Sequence, residues 1–313
     1  MSSAPASHRY RVEHRTHYDY PQPVSISQQM LHLQPRELPW QRVEHWNLLC
    51  EPVPTRERRE VDAFGNPVTR LKFRQPHRIL SITTQLQVEV APRPTTSGTG
   101  ASPSWQALRD SLRFRAGFRP SVAELDAIRY RFRSPFVPIG RAYQRYAQDC
   151  FPPGRPVTEA VQALMAKINR EFEFDDSATH IATPLAEVLQ HRRGVCQDFA
   201  HLMLACLRSL DLPCRYVSGY LLTQPPAGQA RLIGADASHA WIAVYCGQHG
   251  WVEFDPTNNL QPALEHIVLG WGRDFGDVSP LRGVILGAAS VAPKVAVTVT
   301  PVDTAKIDPQ PKR

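Results

Sequence analysis

The 313 residues, 42% of them hydrophobic, suffice for two domains that each bury a core, and no apolar run is long enough to span a membrane. The net charge of +7 is spread along the chain, and the local set Arg129, Arg131 and Arg133 comes with no nucleic-acid motif, so it reads as a solvated face. Six scattered cysteines lack any Cys/His ligand spacing, which argues against a metal centre, and the absence of a leader-like N-terminus points to a reducing, cytoplasmic setting without disulfides.

Residues 8–20 alternate, with Tyr10, Val12, His14, Thr16 and Tyr18 on one face of a strand that Pro21 and Pro23 should end. Extended segments follow at 24–34 and 43–50. Residues 60–73 read as a hairpin turning at Gly65-Asn66. Residues 79–90 place Ile82, Thr84, Leu86, Val88 and Val90 on one face. Five or six strands without a helical pattern predict a β-sandwich over 1–92. Its histidines, His8, His14, His17, His32 and His45, lack a metal spacing and read as surface or structural groups.

Residues 93–104 fall in a Pro/Gly/Ser/Thr-rich stretch and form the expected linker to a core over 105–290. Ser121 to Glu124 forms a capping box that opens a short helix. A helix is expected over 141–150 and an amphipathic one over 157–171, with Val161, Leu164, Met165 and Ile168 inward. Residues 172–174 are extended, and a further helix opens with Pro184 at its first position. A strand over 214–222 leads to a Pro/Gly loop at 225–228, which with the segment to Asp236 could border a substrate groove. Residues 294–302 alternate as a last strand within a C-terminal strand and tail, 291–313, whose end from 303 is expected to be disordered.

The chemistry concentrates between 193 and 257. Apolar residues at Phe199, Leu202, Met203, Cys206, Leu207 and Leu210 predict a helix that begins near Cys196 and is stopped by Asp211 and Pro213. Asp198 then lies in the first turn, where a carboxylate suits the helix dipole. A thiol at a helix N-terminus is favoured as a nucleophile, and it needs a base and a group to orient that base. SHAWIAVY supplies His239 on a strand, and WVEFDPT supplies Asp255 at the end of the next. Two strands joined through 246–250 would set His239 and Asp255 side by side, completing a Cys–His–Asp triad. Taken singly, each has a plainer reading: a buried helix cysteine, a strand histidine, an Asp-Pro turn. A local set of Cys196, Asp198 and His201 is disfavoured because Asp198 points off the required helix face. Cys206, Cys214 and Cys246 read as small core residues.

GVCQDFAHL, CRYVSGYL, SHAWIAVY and WVEFDPTNN together resemble the bacterial transglutaminase-like superfamily, whose core is related to papain-type cysteine proteases. YRVEHRTHYDY and DAFGNPV are similar to the β-domain that often precedes that core, and WGRDFGDVSP to a run that follows it. The resemblance implies an α+β protein, a papain-like transglutaminase core behind an all-β sandwich-like N-terminal domain. It implies that Cys196, His239 and Asp255 are catalytic, acting on a peptide or protein amide through a thioester, with no cofactor. Hydrolysis as a protease or amidase is the expected outcome; glutamine deamidation, transglutamination or a non-catalytic peptide-binding scaffold are the alternatives. Trp241 and Gln197 are the candidate substrate-side residues, although a tryptophan on such a strand, like Trp251 nearby, more often fills the core. Asp274 and Asp277 carry no chemical argument.

Overall fold

The computed structural model describes residues 7–93, 101–176, 183–222 and 238–302. The loop at 225–228, the segment to Asp236 and the tail from 303 lie outside them. Six strands come first: β1 (His8–Val24), β2 (Ile26–Leu31), β3 (Gln41–Glu51), β4 (Arg56–Val61), β5 (Pro67–Phe73) and β6 (His77–Val90). The alternation in β1 and β6 reflects one buried face. Tyr10, Val12, His14 and Thr16 point inward with Ile82, Thr84, Leu86, Val88 and Val90. Pro21 and Pro23 do not end β1. It continues to Val24 after a register irregularity between Asp19 and Val24, the kind of bulge that lets proline sit in a strand.

The helical part follows as α1 (Trp105–Ser111), α2 (Val122–Ile128), α3 (Arg141–Ala147), α4 (Val157–Glu171), β7 (Glu173–Phe174), α5 (Leu185–His191), β8 (Arg193–Gly194) and α6 (Cys196–Ser209). The core sheet then forms from β9 (Cys214–Leu221), β10 (Ser238–Tyr245), β11 (Trp251–Phe254) and β12 (His266–Gly272), and the chain ends with α7 (Phe275–Val278), β13 (Leu281–Leu286) and β14 (Lys294–Pro301). The protein is thus α+β, a β region ahead of a helix-and-sheet core.

Both expected C-terminal boundaries move. β13 falls within the expected core to 290, yet it pairs with β2; β14 falls within the expected tail, yet it pairs with β1. The two four-stranded sheets of the β-domain are therefore β14-β1-β6-β3 and β13-β2-β5-β4. Each C-terminal strand covers an edge that would otherwise expose backbone donors and acceptors. Side chains from both sheets, including Tyr20, Leu31, Phe73 and Ile82, share one buried cluster. The expected linker is also shorter than 93–104. Arg93 is packed, the Ser102 hydroxyl lies 2.9 Å from that of Thr158, and Ser104 caps the unforeseen helix α1. Pro184 caps α5 from outside rather than opening it. Arg131 does not belong to a solvated face: it pairs with Asp211 and donates to the Leu112 carbonyl.

The β-domain and the core are joined by an apolar contact of Tyr10, Val12, Leu86, Val297 and Val299 with Tyr220, Ile267 and Leu269. They are also joined by hydrogen bonds along β12. In the core sheet, ordered β11-β10-β9-β12, this strand has a free edge. Gln41 closes it at Val268, donating to the carbonyl (2.8 Å) and accepting from the N–H (2.7 Å). Asn66 does the same at Trp271, with distances of 2.8 and 3.0 Å, and is itself held by Asp62 and Arg36. Two side-chain amides thus stand in for a missing strand. Asn66→Ala strands a buried backbone N–H and C=O and is expected to lower the unfolding free energy by about 3 kcal/mol with an unchanged denaturant slope. A loss below about 1 kcal/mol in urea unfolding would mean that water replaces the amide.

Two buried histidines give the fold an acid limit. His14 lies between Tyr220 and Thr16, and His201 accepts from the Phe275 N–H. Burial pushes His14 down to about 4; burial, with help from the Arg208 charge, pushes His201 down to about 3. Both folded values lie below the unfolded one, so the unfolded chain takes up protons first and stability falls as pH drops from about 6.5 through these values. The urea midpoint is expected to fall between pH 7 and 4, a loss of at least about 3 kcal/mol. A flat midpoint would contradict neutral burial of these rings.

Candidate active site

The polypeptide enters α6 through a tight approach that explains the GVCQD run. β8 pairs in parallel with β7, and Asp198, in the first turn of α6, accepts the Val195 N–H at 2.9 Å. A side chain at Gly194 would bring its Cβ within 2.7 Å of the Asp198 carboxylate, so only glycine lets the chain pass. Cys196 is the first residue of α6, a free and half-buried thiol. The remainder of α6 is buried from Asp198 to Arg208 against the core sheet, which anchors the N-terminus that presents the sulfur.

β10 and β11 pair antiparallel with Ile242 opposite Phe254. Asp255 therefore follows one residue past the ladder, on the face that carries His239 and Trp241. His239 Nε2 lies 2.7 Å from Asp255 Oδ2. Nδ1 is the ring nitrogen not used by Asp255, and Cys196 is close enough to the ring to raise its basicity. Burial lowers the basicity of His239, but the hydrogen bonds to Asp255 and Cys196 and the negative charge of both partners outweigh it and raise the imidazole to about 10. Opposite charge and geometry thus keep this imidazole protonated through the neutral range.

Asp255 is fully buried and uses both oxygens. Oδ1 accepts the N–H groups of Thr257 (3.0 Å) and Asn258 (3.2 Å), the turn expected of Asp-Pro-Thr. Oδ2 accepts from three donors: His239, the Asn258 amide at 2.8 Å and His266 Nε2 at 3.1 Å. Burial alone would raise this carboxyl; bonds from His239, His266 and Asn258, with the His239 charge, instead hold it well below the usual carboxylate range. Sequence reading missed Asn258 and His266. The FDPTNN run could have suggested Asn258 as a local turn partner; no spacing marks His266, which arrives from β12.

Trp241 is not a substrate-side residue. It is fully buried, donates to Glu253 Oε2 at 2.9 Å, and lies beside His239 and His266 with ring centroids 6.0 and 5.2 Å away. A ring with no exposed surface offers none to a ligand. It backs the site instead, so closely that a Cβ on Gly219, the cross-strand partner of His239, would lie 2.4 Å from it. Gln197 is half-buried beside Cys196 on α6. Trp251 packs edge-on against Tyr130, with the Arg215 guanidinium 4.3 Å from its ring. His201 is stacked on Phe136 and bonded to Phe275, away from any triad role. Asp274 accepts the N–H groups of Phe136 and Gly276, and Asp277 holds Arg273; both are structural.

His239, Asp255 and His266 form the one grouping among the described residues with metal-capable spacing, their ligand atoms lying within 4.8 Å of one another. Their separations from Asp255 Oδ2 are hydrogen-bond lengths, and that oxygen already takes three donors. The cluster is accounted for as a hydrogen-bonded relay. Among the described residues no helix is long and apolar enough to cross a membrane.

Comparison with known proteins matches residues 10–89 to the bacterial transglutaminase-like N-terminal region and residues 144–256 to the transglutaminase-like superfamily. An uncharacterized protein of Mycobacterium tuberculosis is 40% identical over 288 residues, covering 89% of this chain and 88% of its own. A protein-glutamine gamma-glutamyltransferase of Pseudomonas aeruginosa is 29% identical over 136 residues, 39% of this chain and 20% of that protein. Among solved structures, a Cytophaga hutchinsonii protein described as a candidate cysteine protease superposes with a TM-score of 0.72 at 21% identity, covering 96% of this chain and 92% of the other.

Proposed function

This chain belongs to the transglutaminase-like superfamily, and from that premise we propose that it is a cysteine-dependent acyl-transfer enzyme acting on peptide or protein amides. The observation that carries this reading is the 2.7 Å contact of His239 Nε2 with Asp255, with Cys196 near enough to the same ring to raise its basicity. The Cys196 sulfur attacks an amide carbonyl, forming the C–S bond. The oxyanion takes a hydrogen bond from the backbone N–H of Cys196 at the N-terminus of α6. Collapse breaks the C–N bond, and the leaving amine or ammonia takes the proton from His239. Water then attacks the thioester, His239 accepts its proton, and the acid leaves with Cys196 restored. Asp255 holds the imidazole in one orientation and balances its charge throughout.

Hydrolysis is the favoured outcome because water needs no acceptor site of its own. Transfer to an amine is the second reading, supported by the likeness to the Pseudomonas aeruginosa gamma-glutamyltransferase. Mass spectrometry of a glutamine-containing peptide library with a primary amine, using wild type and Cys196→Ala, separates these outcomes. Cleaved peptides indicate a protease, a gain of about one mass unit at glutamine a deamidase, and amine adducts a transglutaminase. Products that persist in Cys196→Ala would refute the assignment.

A further inference from the structure

One buried histidine outside the triad bonds directly to it. His266 is 1% exposed, at the first position of β12, and its Nε2 lies 3.1 Å from the Asp255 oxygen that also binds His239. An ionised carboxylate only accepts, so Nε2 carries the proton. Nδ1 is buried without a hydrogen-bond partner among the described residues. A second proton there would be a buried, unpaired donor, so the ring is built to stay neutral. The groups around it agree. Burial lowers its basicity most, Asp255 opposes this, and the charges of His239 and Arg93 lower it further. Glu253, from β11, is already paired with Arg93 at 3.2 Å and bonded by Trp241.

The position of His266 is also fixed from outside the core. Arg93, at the end of the β-domain, donates to the carbonyls of Ala263 and His266, and Gln41 ties down Val268 two residues along. Trp241 packs edge-on against the imidazole. None of this is needed to cover the apolar side of β12, which Ile267 and Leu269 serve.

We propose that His266 is a positioning residue of the active site, a neutral donor that locks the Asp255 carboxylate against His239, with its own place set by the N-terminal β-domain. This rests on the catalytic reading of Cys196, His239 and Asp255. Without the His266 donor, the fully buried Asp255 carboxylate loses one of the three donors that stabilise its charge on Oδ2. The carboxyl compensates by turning or by taking a proton, and either change withdraws negative charge from His239.

The test is nitrogen-15 NMR of histidine side chains in the full-length chain, for wild type, His266→Phe and His266→Gln. In wild type, His266 carries its proton on Nε2 and stays neutral, while His239 loses its proton near pH 10, where its partners place it. His266→Phe keeps a ring but no donor, and should move the His239 titration down by at least about one pH unit. His266→Gln offers an amide donor and should recover most of that shift. A purely structural role predicts the reverse order, with phenylalanine tolerated and glutamine disruptive. An unmoved His239 in His266→Phe, a larger displacement in His266→Gln, or a wild-type His266 protonated on Nδ1 would each overturn the proposal. The wild-type tautomer decides even if a variant does not fold. Failure of the catalytic reading would look different: ordinary alkylation of Cys196 with the histidine pattern as predicted.

Discussion

Cys196→Ala is expected to abolish amide-directed product formation, a loss of about 10^4-fold or more, while leaving the fold intact. The two effects separate because of where the thiol sits. It is half-buried at the first position of α6, and the helix start is held by other groups, the Asp198 carboxylate on the Val195 N–H and the pairing of β7 with β8. Removing one sulfur from a partly open site creates little cavity, so the thermal midpoint should move by only a few degrees. No other cysteine is placed to replace it: Cys50 lies on β3 of the β-domain, and burial raises its thiol to about 12. Cys150, Cys206, Cys214 and Cys246 are buried, and burial pushes all four thiols up, Cys214 to about 11 and Cys246 to about 12. Product formation that survived in a folded Cys196→Ala protein would place the chemistry elsewhere.

Asp255→Asn is the second large effect, and here activity and stability fall together. The two oxygens of Asp255 accept from five donors: two backbone N–H groups on Oδ1, and His239, His266 and Asn258 on Oδ2. Asparagine has one acceptor and one donor end. With its NH2 toward the turn it faces two N–H groups; turned round, it faces three side-chain donors. No rotamer satisfies both ends, and the residue is fully buried. The expected cost is about 3 kcal/mol of stability, from unsatisfied buried donors and the lost partner of a charged imidazole. Turnover should drop about 10^3-fold, since His239 loses both its orientation and the charge that balances its proton. Urea unfolding and single-turnover rates measure the two separately. An Asp255→Asn protein with wild-type stability would mean that this carboxylate is less tightly engaged than its five contacts indicate.

Local chemistry was well expressed in the sequence. The helix over 196–209 was legible because its apolar spacing, the glycine before it and the Asp211/Pro213 stop all agree, and Asp211 indeed takes a positive φ of 64° just past the end. The pairing of His239 with Asp255 was legible because a short turn joins their strands. Contacts made across long separations were not. Leu281 pairs with Leu31, and Lys294 with His17, and an alternating segment does not reveal which distant edge it will cover. Gln41 and Asn66 look like ordinary polar loop and strand residues until the edge they close is known. Trp241 was ambiguous for another reason: alternation places it on the side of His239 but says nothing of the Glu253 and His266 groups that enclose it.

The most direct test of the central claim is the rate at which iodoacetamide alkylates Cys196 at pH 6, with the site identified by peptide mapping, in wild type and in His239→Gln. If His239, held by Asp255, pairs with the Cys196 sulfur, wild-type Cys196 reacts far faster than an unassisted thiol. His239→Gln then brings it down to the ordinary rate. Slow alkylation in wild type, unchanged in His239→Gln, would contradict the relay and favour a transglutaminase-like fold that binds peptides without turning them over.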